Sequence, residues 1–81
     1  MENFKAYPLF NEVEDKELQA RNRAIILANI SEDHKTPEKK ISVKGAALIM
    51  GYFQKIPQED RKEIASLYSK EMTKRGFAIV Q

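Results

Sequence analysis

Four features of this 81-residue sequence could carry chemistry: a lone histidine, three pairs of adjacent carboxylates, a group of lysines and an N-terminal cluster of aromatics. His34 is the single histidine and there is no cysteine, so a metal site built on imidazoles or thiolates is ruled out by count. The histidine stands in the charged stretch Glu32-Asp33-His34-Lys35. That is the setting of a solvated loop residue and not of a general base held in a pocket. Glu32-Asp33 lacks the ligand spacing and turn glycine of a calcium loop, and three glycines are too few for a phosphate-cradling loop. Glu14-Asp15 and Glu59-Asp60 fall where helices should begin, and capping oxygens and negative charge are what a helix start favours. The residue types predict no catalytic, cofactor-binding or metal site, and a protein that is not an enzyme.

The lysines are the serious alternative. Lys35, Lys39, Lys40 and Lys44 gather on one loop and the start of the helix after it. They are the candidate nucleic-acid contact, although no aromatic lies among them to stack single-stranded bases. The next helix offers less to DNA. Its first turn, Gln58-Glu59-Asp60-Arg61-Lys62, puts two carboxylates where a recognition helix would meet phosphates. The joint before it also lacks the short glycine-containing turn of a DNA-binding helix-turn-helix. The net charge is +2, too small to imply a nucleic-acid partner by itself. It is unevenly placed, with −3 over residues 1–34 and +5 over residues 35–81. Such an imbalance marks either a bipolar surface or no more than solvated helix faces of different charge.

The elements that must position these residues follow from periodicity and punctuation. A first helix is predicted over about 15–30, with Leu18, Ile25, Ile26, Leu27 and Ile30 as its apolar side and Ala20, Ala24 and Ala28 as small spacers. Asn22 and Asn29 share the stripe of Leu18 and Ile25. They either hydrogen-bond a neighbouring loop or terminus inside the fold, or set the register of a helix interface. Residues 31–40 read as a loop. A second helix is placed at about 42–55 with Ser42 as its cap, the alternative being an earlier start at Pro37. Its run Gly45-Ala46-Ala47-Leu48-Ile49-Met50-Gly51-Tyr52-Phe53 is uncharged between Lys44 and Lys55. The run is too short for a bilayer, and a helix apolar on nearly every side is expected at the centre of the fold. Gly45 and Gly51 weaken it unless another backbone must come close. Pro57 breaks the chain and opens a third helix over about 58–75, with the core stripe Ile64, Leu67, Tyr68 and Met72. Gly76 ends it, and Phe77 is placed to fold back against Met72 in a Schellman cap.

Ahead of the helices, Phe4, Tyr7, Leu9 and Phe10 surround Pro8 in an arm over 1–14 too apolar to float, expected to close one end of the core. The tail over 76–81 is expected to fold back along it. The predicted fold is therefore all-α, a single domain over 1–81: a small three-helix bundle with an apolar N-terminal arm and a short extended C-terminal tail. A composition of 42% hydrophobic and 32% charged residues is that of an ordered globular chain. At this length only about 60% of the unfolded surface is buried, so such cores are often completed by a partner or a second copy. The start of the chain lacks the charged and apolar regions of a signal peptide, and a cytoplasmic, non-membrane protein is the expectation.

In style the chain resembles the small, cysteine-free, all-helical accessory proteins encoded by bacteriophages and prophages. The stretches Tyr7-Pro8-Leu9-Phe10-Asn11, Leu18-Gln19-Ala20-Arg21-Asn22-Arg23 and Met72-Thr73-Lys74-Arg75-Gly76-Phe77 carry the likeness. Such proteins are diverse, so the resemblance implies a class of job and no functional residue: binding a host or phage protein, or nucleic acid, to modulate it. The functional expectation is a non-enzymatic binding protein acting by protein–protein contact, with Phe4, Tyr7, Phe10, Asn22 and Asn29 as candidate interface residues. A DNA-associated regulator using the lysine cluster and a self-associating structural subunit are the alternatives.

Overall fold

The computed structural model describes residues 7–77. Within them lie three helices, α1 (Lys16–Asp33), α2 (Val43–Gln54) and α3 (Gln58–Lys74). Each begins and ends for a local reason. The Asp15 carboxylate accepts from the backbone N–H groups of Glu17 and Leu18, and Ser42 Oγ accepts from Gly45 N. Both satisfy amide donors that the first turn of a helix leaves unpaired. Ser42 thereby decides between the two predicted starts of α2. Pro37 instead lies in a tight loop closed by Thr36 N donating to Lys40 O and Lys39 N donating to Thr36 O. α3 starts directly after Pro57, with Glu59 and Asp60 in its first turn. It ends in the predicted Schellman motif. Gly76 adopts φ +83°, its N–H donates to Thr73 O, the Phe77 N–H donates to Met72 O, and Phe77 packs with Met72 and Ala28.

α1 runs one turn beyond its predicted end. Ser31 and Asp33 are poor helix formers, and packing extends the helix through them. Ser31 is fully buried, bonded to Leu27 O and, at 2.8 Å, to the Tyr68 hydroxyl, while Glu32 pairs with Lys35, Lys39 and Arg75.

The central position belongs to α1, which corrects the expectation for α2. Both other helices pack on α1, and α2 and α3 barely touch each other. α1 and α3 run in the same direction, since Asp60 faces Lys16 and Arg23 at one end while Arg75 reaches Glu32 at the other. The molecule is only 17 Å across its thin axis, about two helix layers given axes 8–10 Å apart. Three helices in that arrangement enclose one of their number at most. α1 is enclosed because the arm covers the side that α2 and α3 leave open. α2 is therefore half-submerged. Gly45 and Tyr52 are buried, whereas Val43 is 89% and Met50 61% exposed.

The buried face of α1 also differs from the predicted one. Ala20, Ala24, Leu27, Ala28 and Ile30 are buried, together with Gln19, Arg23 and Ser31, while Leu18 is exposed and Ile25 and Ile26 are half-buried. The alanines recur every four residues and form a low ridge, which lets α3 come close. Ile64 and Met72 of the predicted α3 stripe are buried, and Leu67 and Tyr68 are half-buried.

Gly45 is where α2 rests on the end of α1. A Cβ there would stand 3.0 Å from His34 Cβ and 3.2 Å from the His34 carbonyl oxygen. Gly45→Ala should therefore lose stability, by about 1–2 kcal/mol, because overpacking against a backbone outweighs the roughly 1 kcal/mol gain in helix propensity. A lower urea midpoint with an unchanged slope would show this, and a raised midpoint would refute the close approach.

Candidate interaction surface

The arm, the lysine loop and α2 each hold residues that the sequence singles out, and the fold treats the three differently. The arm is bound down along its backbone. Tyr52 Oη donates to Pro8 O at 2.7 Å, Arg23 Nε to Leu9 O at 2.8 Å, and Gln19 Nε2 to Phe10 O at 2.8 Å. Tyr7 and Leu9 pack on the core, and the Tyr7 hydroxyl donates to Asp33. Phe10 sits at φ +58°, a left-handed conformation that bulky residues rarely adopt. It turns its carbonyl toward both Gln19 and the Val13 N–H. Phe4 lies outside the described residues, as does most of the tail over 76–81.

Arg23 is the hub of this strap. Its side chain is 3% exposed, with one guanidinium nitrogen 3.7 Å from Asp60 Oδ2 and the other 2.9 Å from Asn11 Oδ1. Asp60 Oδ2 is itself buried and makes no hydrogen bond among the described residues, so Arg23 and Lys16 balance its charge from a distance. The polar anchoring given in prospect to Asn22 and Asn29 is made by Gln19 and Arg23. Asn22 and Asn29 are half-exposed, and no side-chain hydrogen bond ties either to another described residue.

The lysine loop is divided. Lys35 and Lys39 both approach Glu32, at 3.5 and 3.7 Å. Lys39 also donates to Arg75 O at 2.7 Å and lies 4.8 Å above the Phe77 ring, locking the loop over the end of α3. Lys40 and Lys44 remain exposed with no ion pair among the described residues. His34 is half-buried where α1 ends, its backbone N–H bonded to Ile30 O. Among the described residues no three His, Cys, Asp or Glu side chains gather as metal ligands.

The surface with most to offer is the one sequence reasoning put inside. Between α2 and α3 lies an open apolar groove of about 370 Å³, floored by Leu27 and walled by Ile49, Met50 and Phe53 on one side and Ala65 and Tyr68 on the other. Val43, Ala46 and Ala47 continue exposed along α2. At the edge of the groove the Arg61 guanidinium lies 5.9 Å from the centre of the Phe53 ring. It is pinned there by Nε to Ile56 O (3.0 Å) and a terminal nitrogen to Gln54 O (3.1 Å). The signal for this surface is present in the sequence: an uncharged run longer than a bundle of three helices can cover. No helix among the described residues is long and apolar enough to cross a membrane. No protein-family model, curated protein or solved structure matches the chain.

Proposed function

We propose that this is a non-enzymatic binding protein acting by protein–protein contact through the α2–α3 groove and the outward face of α2. The observation that carries this reading is the exposure of Val43 and Met50 beside a groove with no charged residue in its lining. Contiguous apolar surface of this kind marks interaction sites on small folded chains. The arm gives less support to the alternative interface at Tyr7 and Phe10, because its groups are engaged within the fold. DNA binding through Lys35, Lys39, Lys40 and Lys44 is also less favoured, since Glu32 draws on two of the four. The resemblance to phage and prophage accessory proteins points to the same class of job, in the cytoplasm of a bacterial host.

The test is a tagged capture from bacterial lysate, with and without nuclease, using the wild-type chain and Met50→Glu. Met50 is solvent-facing, so the substitution should leave melting nearly unchanged, within about 0.5 kcal/mol. A protein retained after nuclease and lost by at least tenfold in Met50→Glu is the expected result. Retention that ignores the substitution would remove the groove from the account, and retention that vanishes with nuclease would move the function to the lysines. Light scattering over a dilution series separates the structural-subunit alternative, since a dimer that dissociates on Met50→Glu would make the partner a second copy.

A further inference from the structure

The groove has a chemical bias that narrows its partner, and this step rests on reading it as a contact surface. From Ile41 to Gln58 the chain carries Lys44 and Lys55 and no Asp or Glu. Three of the four carboxylates of α3 are turned elsewhere: Asp60 to Lys16 and Arg23, Glu71 to Arg75, and Glu63 to a recess on the far side with Gln19. Arg61 is fixed at the groove, beside Phe53 and Gln54. A guanidinium has five N–H donors; the two backbone carbonyls occupy two, and no carboxylate among the described residues pairs with it. It is a pre-positioned cation at the end of an apolar cleft, and a planar fork of donors matches a carboxylate in particular.

We infer that the groove takes an amphipathic helix of another protein, apolar along one stripe and acidic beside it, with a carboxylate seated on Arg61. The shape argues for a helix. The groove lies between two helices, with wall residues four apart on α2 (Ile49, Phe53) and three apart on α3 (Ala65, Tyr68), the ridges between which a further helix packs. A flat lipid surface does not enter such a cleft. A short amphiphile would leave Val43 and the outer turns of α2 uncovered. A second copy docked symmetrically on this face would bring its own carboxylate-free α2 against the first, with no acid for either Arg61.

Three 18-residue helical peptides test this, sharing leucines at i, i+3, i+4 and i+7 and carrying Glu, Gln or Lys at the flanking positions. Their binding to the full chain is read by fluorescence anisotropy at physiological salt. The Glu peptide should bind at least tenfold more tightly than the Gln peptide, and the Lys peptide most weakly. Arg61→Gln should reduce the preference for Glu over Gln. Because Arg61 also holds two backbone carbonyls, Ala65→Glu serves as the second variant. It lies on the exposed wall of the groove and should invert the order in favour of Lys. Equal affinities, a preference for Lys, or no binding by any peptide would overturn the acidic partner. Any of these three results would leave the protein-contact reading standing wherever capture still depends on Met50. Failure of that capture as well would take both down.

Discussion

Arg23→Ala should lower stability by about 3–4 kcal/mol, the lower part of the roughly 3–5 kcal/mol lost when one partner of a buried ion pair is removed, since Asp60 is partly exposed. The chain as a whole holds roughly 4–12 kcal/mol at its size, so the loss is a large part of the total. Three separate deficits combine. Leu9 O loses its donor, Asn11 Oδ1 loses its anchor, and Asp60 Oδ2, already without a hydrogen bond among the described residues, loses the nearer-buried of its two cations. Because the first two bonds hold the arm, the variant should also expose Tyr52, whose hydroxyl depends on Pro8. Chemical denaturation measures the loss, and proteolysis within residues 7–14 reports release of the arm. The double variant Arg23→Met with Asp60→Asn should recover part of the loss, because it removes the uncompensated charge and keeps some of the packing. If the double variant is no more stable than the sum of its parts, the two side chains are not coupled and the hub account fails.

Stability should also fall steeply in alkali. Burial pushes the Tyr52 hydroxyl up to about 12, against an ordinary value of 10.0, with Arg23 working slightly in the other direction. In the unfolded chain the phenol ionises near 10, so between pH 10 and 12 the unfolded state loses its proton while the folded state keeps it. The contribution is therefore fully present below pH 10 and is lost as pH rises to the folded value, at about 1.4 kcal/mol per pH unit. The total from this residue is about 2–3 kcal/mol. Burial also raises Tyr68, and burial together with the Asp33 carboxylate raises Tyr7, so both act in the same direction. Tyr52→Phe separates the contributions. It should cost about 1 kcal/mol at neutral pH through the unpaired Pro8 carbonyl, while flattening the decline above pH 10. Lysine deprotonation in the same range is common to both proteins and cancels in the comparison. An equally steep decline in the variant would place the alkaline transition elsewhere.

Much of the local structure was legible because local causes set it. Asp15, Ser42 and Pro57 start the helices where their side chains or ring dictate. Gly76 ends α3 because a glycine takes without steric cost the left-handed turn that lets Phe77 reach Met72. The end of α1 was not legible. Ser31 and Asp33 are poor helix formers, and the helix continues through them because Tyr68 and Arg75, more than thirty residues away, meet Ser31 and Glu32 there. The candidate site was half legible. Its lining comes largely from the uncharged run, but sequence placed that run at the centre of the fold.

By itself, then, the sequence determined an all-α chain of three helices, where α1 and α3 begin, two possible starts for α2, and the absence of residue types for thiolate or multi-histidine chemistry. Those follow from side-chain identity and from contacts within a few residues, which no later packing undoes. Tertiary structure decided which helix is enclosed, which face of α1 is buried and what remains open. Periodicity says that a face seeks cover without saying whether enough chain exists to cover it. Here α3 packs on the alanine ridge of α1 while the arm is tied along Gln19 and Arg23 beside it, and their closure uses up the chain's means of enclosure. α2 is left with its apolar outer face in water, and two backbone carbonyls hold the Arg61 guanidinium at the edge of the groove beside it.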